Sequence, residues 1–115
     1  MSIQRFEIGP RMSQAVVHGN TVYLAGVVAD DVKADTAGQT KQILDKIDRL
    51  LQAAGTDKSK LLSAQIWVTD MRSFADMNKV WDAWVSPGNT PARATVEAAL
   101  AGPDYRVEIM VVAAK

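Results

Sequence analysis

The sequence predicts one α/β domain of the α+β type, in which a mixed sheet carries two helices on one face in the order β-β-α-β-α-β-β. Three observations lead to this fold class. Runs rich in β-branched residues occur near both ends of the chain and once near its middle, and the two segments between them carry apolar residues at three- and four-residue steps. Right-handed crossovers within one sheet place both helices on the same face. The opposite face is then bare, and we expect copies of the chain to cover it.

The first two strands are predicted to form a hairpin. Residues 15–18 and 21–26 favour β structure. Gly19 and Asn20 between them tolerate the positive φ angles that a tight two-residue turn requires. In the second run, Gly26 indicates either a β-bulge, which is the commoner cause, or a point where a ligand approaches the backbone.

A helix is predicted to begin at Thr36, after a polar turn over residues 30–35. Thr36 and Gln39 have the S/T-x-x-E/Q spacing of a capping box, in which the threonine side chain caps the helix. Gly55 is expected to end the helix as a C-cap. The side chains expected to face the sheet are Ile43, Leu44, Ile47, Leu50, Leu51 and Ala54.

A strand and a second helix follow. Polar and apolar residues alternate from Lys60 to Thr69, which is the period of a strand, and the second helical pattern starts at Ser73 and stops at the Ser-Pro-Gly-Asn sequence over residues 86–89. On the strand, the apolar face is predicted to consist of Leu62, Ala64, Ile66 and Val68. On the helix, the inner positions are predicted to be Phe74, Met77, Val80, Trp81 and Trp84.

Two further strands end the pattern, over residues 90–97 and 106–113, and each holds an ionisable residue among small or β-branched neighbours. Arg93 presents a planar fork of donors that can hold a carboxylate through two parallel hydrogen bonds. Glu108 has apolar neighbours, so its carboxylate is either paired or able to move protons. Purely structural explanations fit both residues equally well. Arg93 could be a surface arginine or an ion-pair partner of Glu97 or Glu108, and Glu108 could be a member of a structural salt bridge.

Other polar and aromatic residues give weaker indications. Asn78 lies one step from the apolar stripe of the second helix, where an amide needs hydrogen-bond partners. Trp81 and Trp84 are better explained as core between helix and sheet than as an aromatic binding site. His18 sits at the expected hairpin corner without a serine or cysteine partner, so no catalytic triad is predicted.

Composition argues against several classes of function. With 115 residues, the chain is expected to form a single domain over residues 1–115. Its 13 basic and 13 acidic residues cancel, and no basic run could follow a nucleic-acid backbone. No segment approaches the roughly 20 apolar residues that span a bilayer, and the N-terminus lacks a secretory signal, so we expect a cytoplasmic protein without membrane association. The absence of cysteine and the single histidine argue against thiol chemistry and a metal site.

Several short elements together resemble the RidA family, also known as YjgF/YER057c/UK114. The most specific is Pro-Ala-Arg at residues 91–93 followed by Val-Glu-Ile at residues 107–109. The likeness spans nearly the whole chain. The other matching elements are Gly9-Pro10, Ser13-Gln14-Ala15-Val16, residues 19–26, Ala53-Ala54-Gly55, Asn78, Ala94 and Val96-Glu97.

The resemblance implies a chorismate-mutase-like fold that assembles as a homotrimer with three clefts between subunits. It also implies hydrolysis of reactive enamines and imines, such as 2-aminoacrylate and 2-iminobutanoate, to 2-oxo acids and ammonia without a cofactor or metal. Carried over by position, Arg93 clamps the carboxylate of a small 2-imino acid. The backbone around Thr95 and Gly26 contacts the ligand, Asn78 helps to shape the cleft, and Glu108 handles the water.

The chain departs from the family pattern around the expected cleft. Many relatives place a tyrosine between the Gly-Pro and Ser-Gln elements, where this chain has Arg11 and Met12, and Met12 is expected to stand beside the substrate instead. Ala25, Thr95 and Met110 occupy positions where the family frequently has serine, cysteine and glutamate. Fewer polar groups than usual should line the cleft. This pattern favours a branch-specific substrate or a slower generic imine hydrolase.

Two other functions stay open. A trimer whose clefts hold a small carboxylate, such as a 2-oxo acid, without turnover would need the same arginine. Some relatives also carry ribonuclease or translation-inhibitor labels, although the neutral charge and the lack of a basic stripe argue against a nucleic-acid function.

Overall fold

A computed structural model describes residues 2–115 and contains one six-stranded mixed sheet. The strands lie in the order β1-β2-β3-β6-β4-β5, and only the pair β4 and β5 is parallel. The elements are β1 (Ile3–Ile8), β2 (Ser13–His18), β3 (Thr21–Leu24), α1 (Thr36–Ala53), β4 (Leu61–Val68), α2 (Phe74–Trp84), β5 (Ala92–Glu97) and β6 (Val107–Ala114).

The predicted fold class is confirmed, and the structure adds one strand that the sequence pattern did not predict. This strand, β1, pairs only with β2 at the edge of the sheet. Its sequence mixes charged and apolar residues, and only Phe6 is even partly buried. An edge strand that buries so little apolar surface leaves no strong periodic signal in the sequence.

Both helices cover one face of the sheet. The buried side chains of α1 and α2 form a single core with the inward-facing side chains of β2, β3, β4 and β6. Trp81 and Trp84 belong to this core, with exposed fractions of 4% and 8%, as expected from the sequence. None of the helices within residues 2–115 combines the length and the hydrophobicity that spanning a bilayer requires.

The other face of the sheet, which we call the open face, carries apolar side chains without cover from the chain itself. Tyr23, Val96 and Met110 expose 47%, 45% and 39% of their surface. They alternate along their strands with residues that point toward the helices. An exposed apolar surface of this kind is typical of a protein–protein interface.

The helix α1 begins at Thr36 as predicted, but the capping residue is Asp35 and not Thr36. The Asp35 side chain accepts a hydrogen bond from the Gly38 amide at 2.8 Å. Gln39 does not complete a capping box. It is fully buried, and its amide nitrogen points at the carbonyls of Val32, Ala34 and Asp104 while its oxygen accepts from the Arg106 amide. Gln39 therefore joins the loop before α1 to the loop before β6.

The end of α1 agrees with the prediction from the sequence, and the start of β4 differs from it. Gly55 follows the last turn of α1 with φ +86°, which is the left-handed conformation expected of a helix-ending glycine. Leu62, predicted on the inner face of β4, is instead 51% exposed, and Leu61 is buried in its place. An irregularity in the pairing with β6 between Leu61 and Ser63 shifts the alternation by one residue.

Candidate functional site

Arg93 lies on the helix-covered face of the edge strand β5. Its register partner on β4 is Ala64, which is 5% exposed and points into the core. The Arg93 guanidinium carbon is 5.4 Å from the ring centroid of Trp81 and 5.9 Å from that of Phe74, both on α2. Among residues 2–115, no salt bridge involves Arg93. The structural ion pair that the sequence left open is therefore not formed within the described chain, and the guanidinium donors stay available.

Two polar side chains beside this arginine have buried atoms without partners. Thr95 follows Arg93 by two residues on β5, so both side chains point to the same face. Asn78 lies four residues after Phe74 and three before Trp81, so it shares the α2 face that carries both rings. The Asn78 Oδ1 and Thr95 Oγ1 atoms are buried, and neither atom forms a hydrogen bond within residues 2–115. Buried polar atoms normally have hydrogen-bond partners, so a ligand bound beside Arg93 would supply the partners that these two atoms lack.

Glu108 lies on the open face. It is flanked on β6 by Val107 and Ile109, which are fully buried on the helix side, and its register partner on β4 is Trp67. Its carboxylate rests against the backbone of Gly26, where an added Cβ would be 2.1 Å from Glu108 Oε2. Only glycine leaves room for this arrangement. The group that approaches the Gly26 backbone is thus the chain's own Glu108 side chain, and contact of Gly26 with a ligand stays a prediction.

Arg93 and Glu108 thus lie on opposite faces of the same sheet, with β4 between their strands. A groove of about 350 Å³ runs along the open face across β6, β4 and β5 and is lined mainly by apolar side chains. Arg93, at the sheet edge, borders this groove together with Ser63, Ala64, Gln65, Ala92, Ala94, Met110 and Val112. The predicted site residues therefore form two groups within one protomer, namely Arg93 with Thr95 and Asn78, and Glu108 with Gly26.

Met12 belongs to the loop between β1 and β2. The Gly9 amide donates to the Met12 carbonyl at 2.9 Å and closes this loop, and the Met12 side chain is 46% exposed. Two residues later, the Gln14 carbonyl accepts from the Ala25 amide at 3.0 Å. The loop therefore lies at the end of the sheet where Gly26 is found.

The sequence favoured a core role for Phe74 and Trp81 over an aromatic binding site and gave no indication of their contact with Arg93. The available signal was the spacing on α2, since Phe74, Asn78 and Trp81 stand at positions i, i+4 and i+7 and so share one helix face. Two aromatic rings and an amide on one face are unusual for a purely apolar stripe. Among residues 2–115, no group of histidine, cysteine, aspartate and glutamate side chains is arranged to hold a metal ion.

Comparisons with known proteins cover the chain from end to end. A family model described as Endoribonuclease L-PSP matches residues 3–115. The RutC family protein YoaB of Escherichia coli strain K12 is 46% identical over 114 residues, which are 99% of this chain and 99% of that protein. A crystal structure of a YjgF family member from Neisseria meningitidis superposes with a TM-score of 0.97 at 47% identity, covering 100% of this chain and 96% of that one.

A more distant structure has the same fold. A member of the YjgF/YER057c/UK114 family from Mycobacterium tuberculosis superposes with a TM-score of 0.89 at 28% identity, and the match covers 99% of this chain and 100% of that one. The resemblance found in the short elements of the sequence is therefore confirmed over the whole described fold.

Proposed function

This chain belongs to the endoribonuclease L-PSP family, which includes RutC and YjgF proteins, and on that premise we propose that it hydrolyses reactive 2-imino acids to 2-oxo acids and ammonia. The substrates are small 2-iminoalkanoates and the enamines, such as 2-aminoacrylate, that tautomerise to them. The reaction requires no cofactor, because the imine carbon is already electrophilic. Binding, orientation and proton transfer suffice to accelerate the attack of water.

The state of Arg93 is the observation that carries this proposal. Its guanidinium has no ionic partner within residues 2–115 and lies against two aromatic rings, so a substrate carboxylate can take its donors. A planar fork binds a carboxylate through two parallel hydrogen bonds. A ligand without the carboxylate leaves that fork unpaired and is rejected.

Glu108 manages the proton transfers. Its carboxylate takes a proton from water as the water oxygen bonds to the carbon of the protonated imine, which gives a neutral carbinolamine. The carboxyl group then passes that proton to nitrogen, and as the carbon–nitrogen bond breaks the carboxylate takes the hydroxyl proton, so that ammonia leaves and the 2-oxo acid forms. The carboxylate is suited to this exchange because no hydrogen bond or salt bridge occupies it within residues 2–115, while Gly26 leaves it space against the backbone.

A cleft that contains both groups needs two protomers. Since Arg93 and Glu108 lie on opposite faces of one sheet, the Arg93 group of one protomer would meet the Glu108 group of the next. We propose a homotrimer with three such clefts, in which the open faces pack together. The exposed apolar side chains of Tyr23, Val96 and Met110 support this arrangement, because association removes them from water.

The test measures release of 2-oxo acid from imines that an amino-acid oxidase generates in situ. We expect the protein to accelerate release and Arg93→Ala to lose the acceleration. The matched control is Arg49→Ala, which removes an exposed arginine of α1 that pairs with Glu7. Equal acceleration by wild type and Arg93→Ala would refute the proposal.

A second candidate is binding of a small carboxylate without turnover, which the same free guanidinium favours. Calorimetric binding of a 2-oxo acid that depends on Arg93, without any hydrolysis, would select it. An endoribonuclease activity is suggested by names alone, namely the family description and that of a similar crystal structure from Thermotoga maritima. RNA cleavage that persists in Arg93→Ala and disappears on further purification would identify a contaminant.

A further inference from the structure

We propose that Phe74 and Trp81 position the Arg93 guanidinium for the substrate carboxylate, so that α2 determines how tightly the site binds acids. This inference rests on the carboxylate grip of the proposed function and adds two residues that act through Arg93. We call the pair Phe74 and Trp81 the aromatic clamp.

The contact distances support the clamp. Both ring centroids lie within 6 Å of the Arg93 guanidinium carbon, at 5.4 Å for Trp81 and 5.9 Å for Phe74. A cation is attracted to an aromatic face within about 6 Å. The guanidinium is thus held from the α2 side by two attractions. A free arginine side chain would otherwise sample many rotamers and lose that freedom when it binds.

Holding a cation by aromatic faces has a chemical advantage at this place. A carboxylate partner in the same protomer would occupy the guanidinium donors and would compete with the substrate. Aromatic rings attract the charge without accepting the in-plane hydrogen bonds that a carboxylate needs. The clamp therefore orders Arg93 and leaves its fork free, which reduces the entropy cost of binding.

The rings themselves are held firmly. Trp81 is 4% exposed and belongs to the core, and its ring lies 5.3 Å from that of Trp84 at an angle of 52°. Phe74 is partly buried and packs against the same core. Because both rings stand on one face of α2, the guanidinium position follows from the placement of this helix on the sheet.

The experiment measures binding of 2-oxobutanoate by calorimetry and imine hydrolysis by the oxidase-coupled assay. Phe74→Leu keeps an apolar side chain and removes the aromatic face. We expect it to weaken 2-oxobutanoate binding about fivefold and to raise KM by a similar factor with little change in kcat. Phe74→Tyr keeps the ring and should restore binding to within about twofold of wild type.

Phe6→Leu is the matched control, because Phe6 is the other phenylalanine of the chain and is also partly buried against the core. Both leucine variants should lose similar unfolding free energy, but only Phe74→Leu should weaken binding. Equal dissociation constants for the two variants would overturn the clamp, as would a wild type that binds no 2-oxobutanoate. Arg93-dependent binding without hydrolysis would overturn the enzymatic function and leave the clamp measurable. Arg93-dependent hydrolysis together with unchanged 2-oxobutanoate binding in Phe74→Leu would overturn the clamp and support the enzymatic function.

Discussion

Mixing two inactive variants offers the sharpest test of the two-protomer cleft. Arg93→Ala removes the proposed carboxylate grip, and Glu108→Gln removes the proposed proton acceptor with nearly the same shape. Each pure variant should retain at most about one hundredth of wild-type activity, since positioned acid–base groups contribute about a hundredfold or more. Within one protomer the two residues lie on opposite faces of the sheet. A mixed ring can therefore rebuild an intact cleft.

The expected recovery follows from this arrangement. In an equal mixture, the protomer that supplies Arg93 to a given cleft is the Glu108→Gln variant about half of the time. The protomer that supplies Glu108 is the Arg93→Ala variant equally often. About one quarter of the clefts then carry both native residues, and the mixture should regain about one quarter of wild-type activity.

The assay uses the two variants unfolded together in urea and refolded, with imine hydrolysis measured at equal total protein. The control mixes Arg93→Ala with the double variant Arg93→Ala/Glu108→Gln, in which no cleft can contain both native residues. Activity in the first mixture that stays at the average of its parents would show that the two residues do not share a cleft between protomers.

Two further predictions concern residues that hold the site and the fold in place. Gly26→Ala puts a Cβ 2.1 Å from Glu108 Oε2, so the carboxylate must move, and hydrolysis should fall about tenfold or more. The same change in a Glu108→Gln background should cost little more activity, and a full additional loss there would contradict the reasoning. Gln39→Leu leaves three carbonyls and one amide without their side-chain partner, and urea unfolding should show a loss of about 3 kcal/mol. The exposed Gln52→Leu should change stability by less than about 0.5 kcal/mol, and a comparably small loss in Gln39→Leu would mean that other partners replace the amide.

Much of the fold could be predicted because its signals are local. The apolar stripe of α1 and the Gly19-Asn20 turn each specify one element by spacing and backbone preference. Errors arose where neighbouring residues compete for one role. Asp35 and Thr36 can both cap a helix, and only the observed backbone selects Asp35. Leu61 and Leu62 are equally apolar, and the irregular pairing with β6 decides which is buried.

The sequence singles out the candidate site residues one by one but does not predict their spatial arrangement. Arg93 and Glu108 could be singled out because each is an ionisable residue in an apolar strand. Their placement on opposite faces depends on the register of β5 and β6 against β4, which no local pattern specifies. The contact between Arg93 and Trp81 likewise depends on how α2 crosses the sheet edge.

The division of the reactive groups between the two faces of the sheet has a consequence for the concentration at which the protein works. In the proposed trimer, a lone subunit carries both Arg93 and Glu108 and yet cannot present them to one substrate molecule, because they lie on opposite faces. Turnover per subunit would then fall on dilution below the dissociation constant of the assembly, by mass action, even though each subunit stays folded. The rate of hydrolysis would then depend on protein concentration in two ways, through the number of subunits and through the fraction of subunits that are assembled.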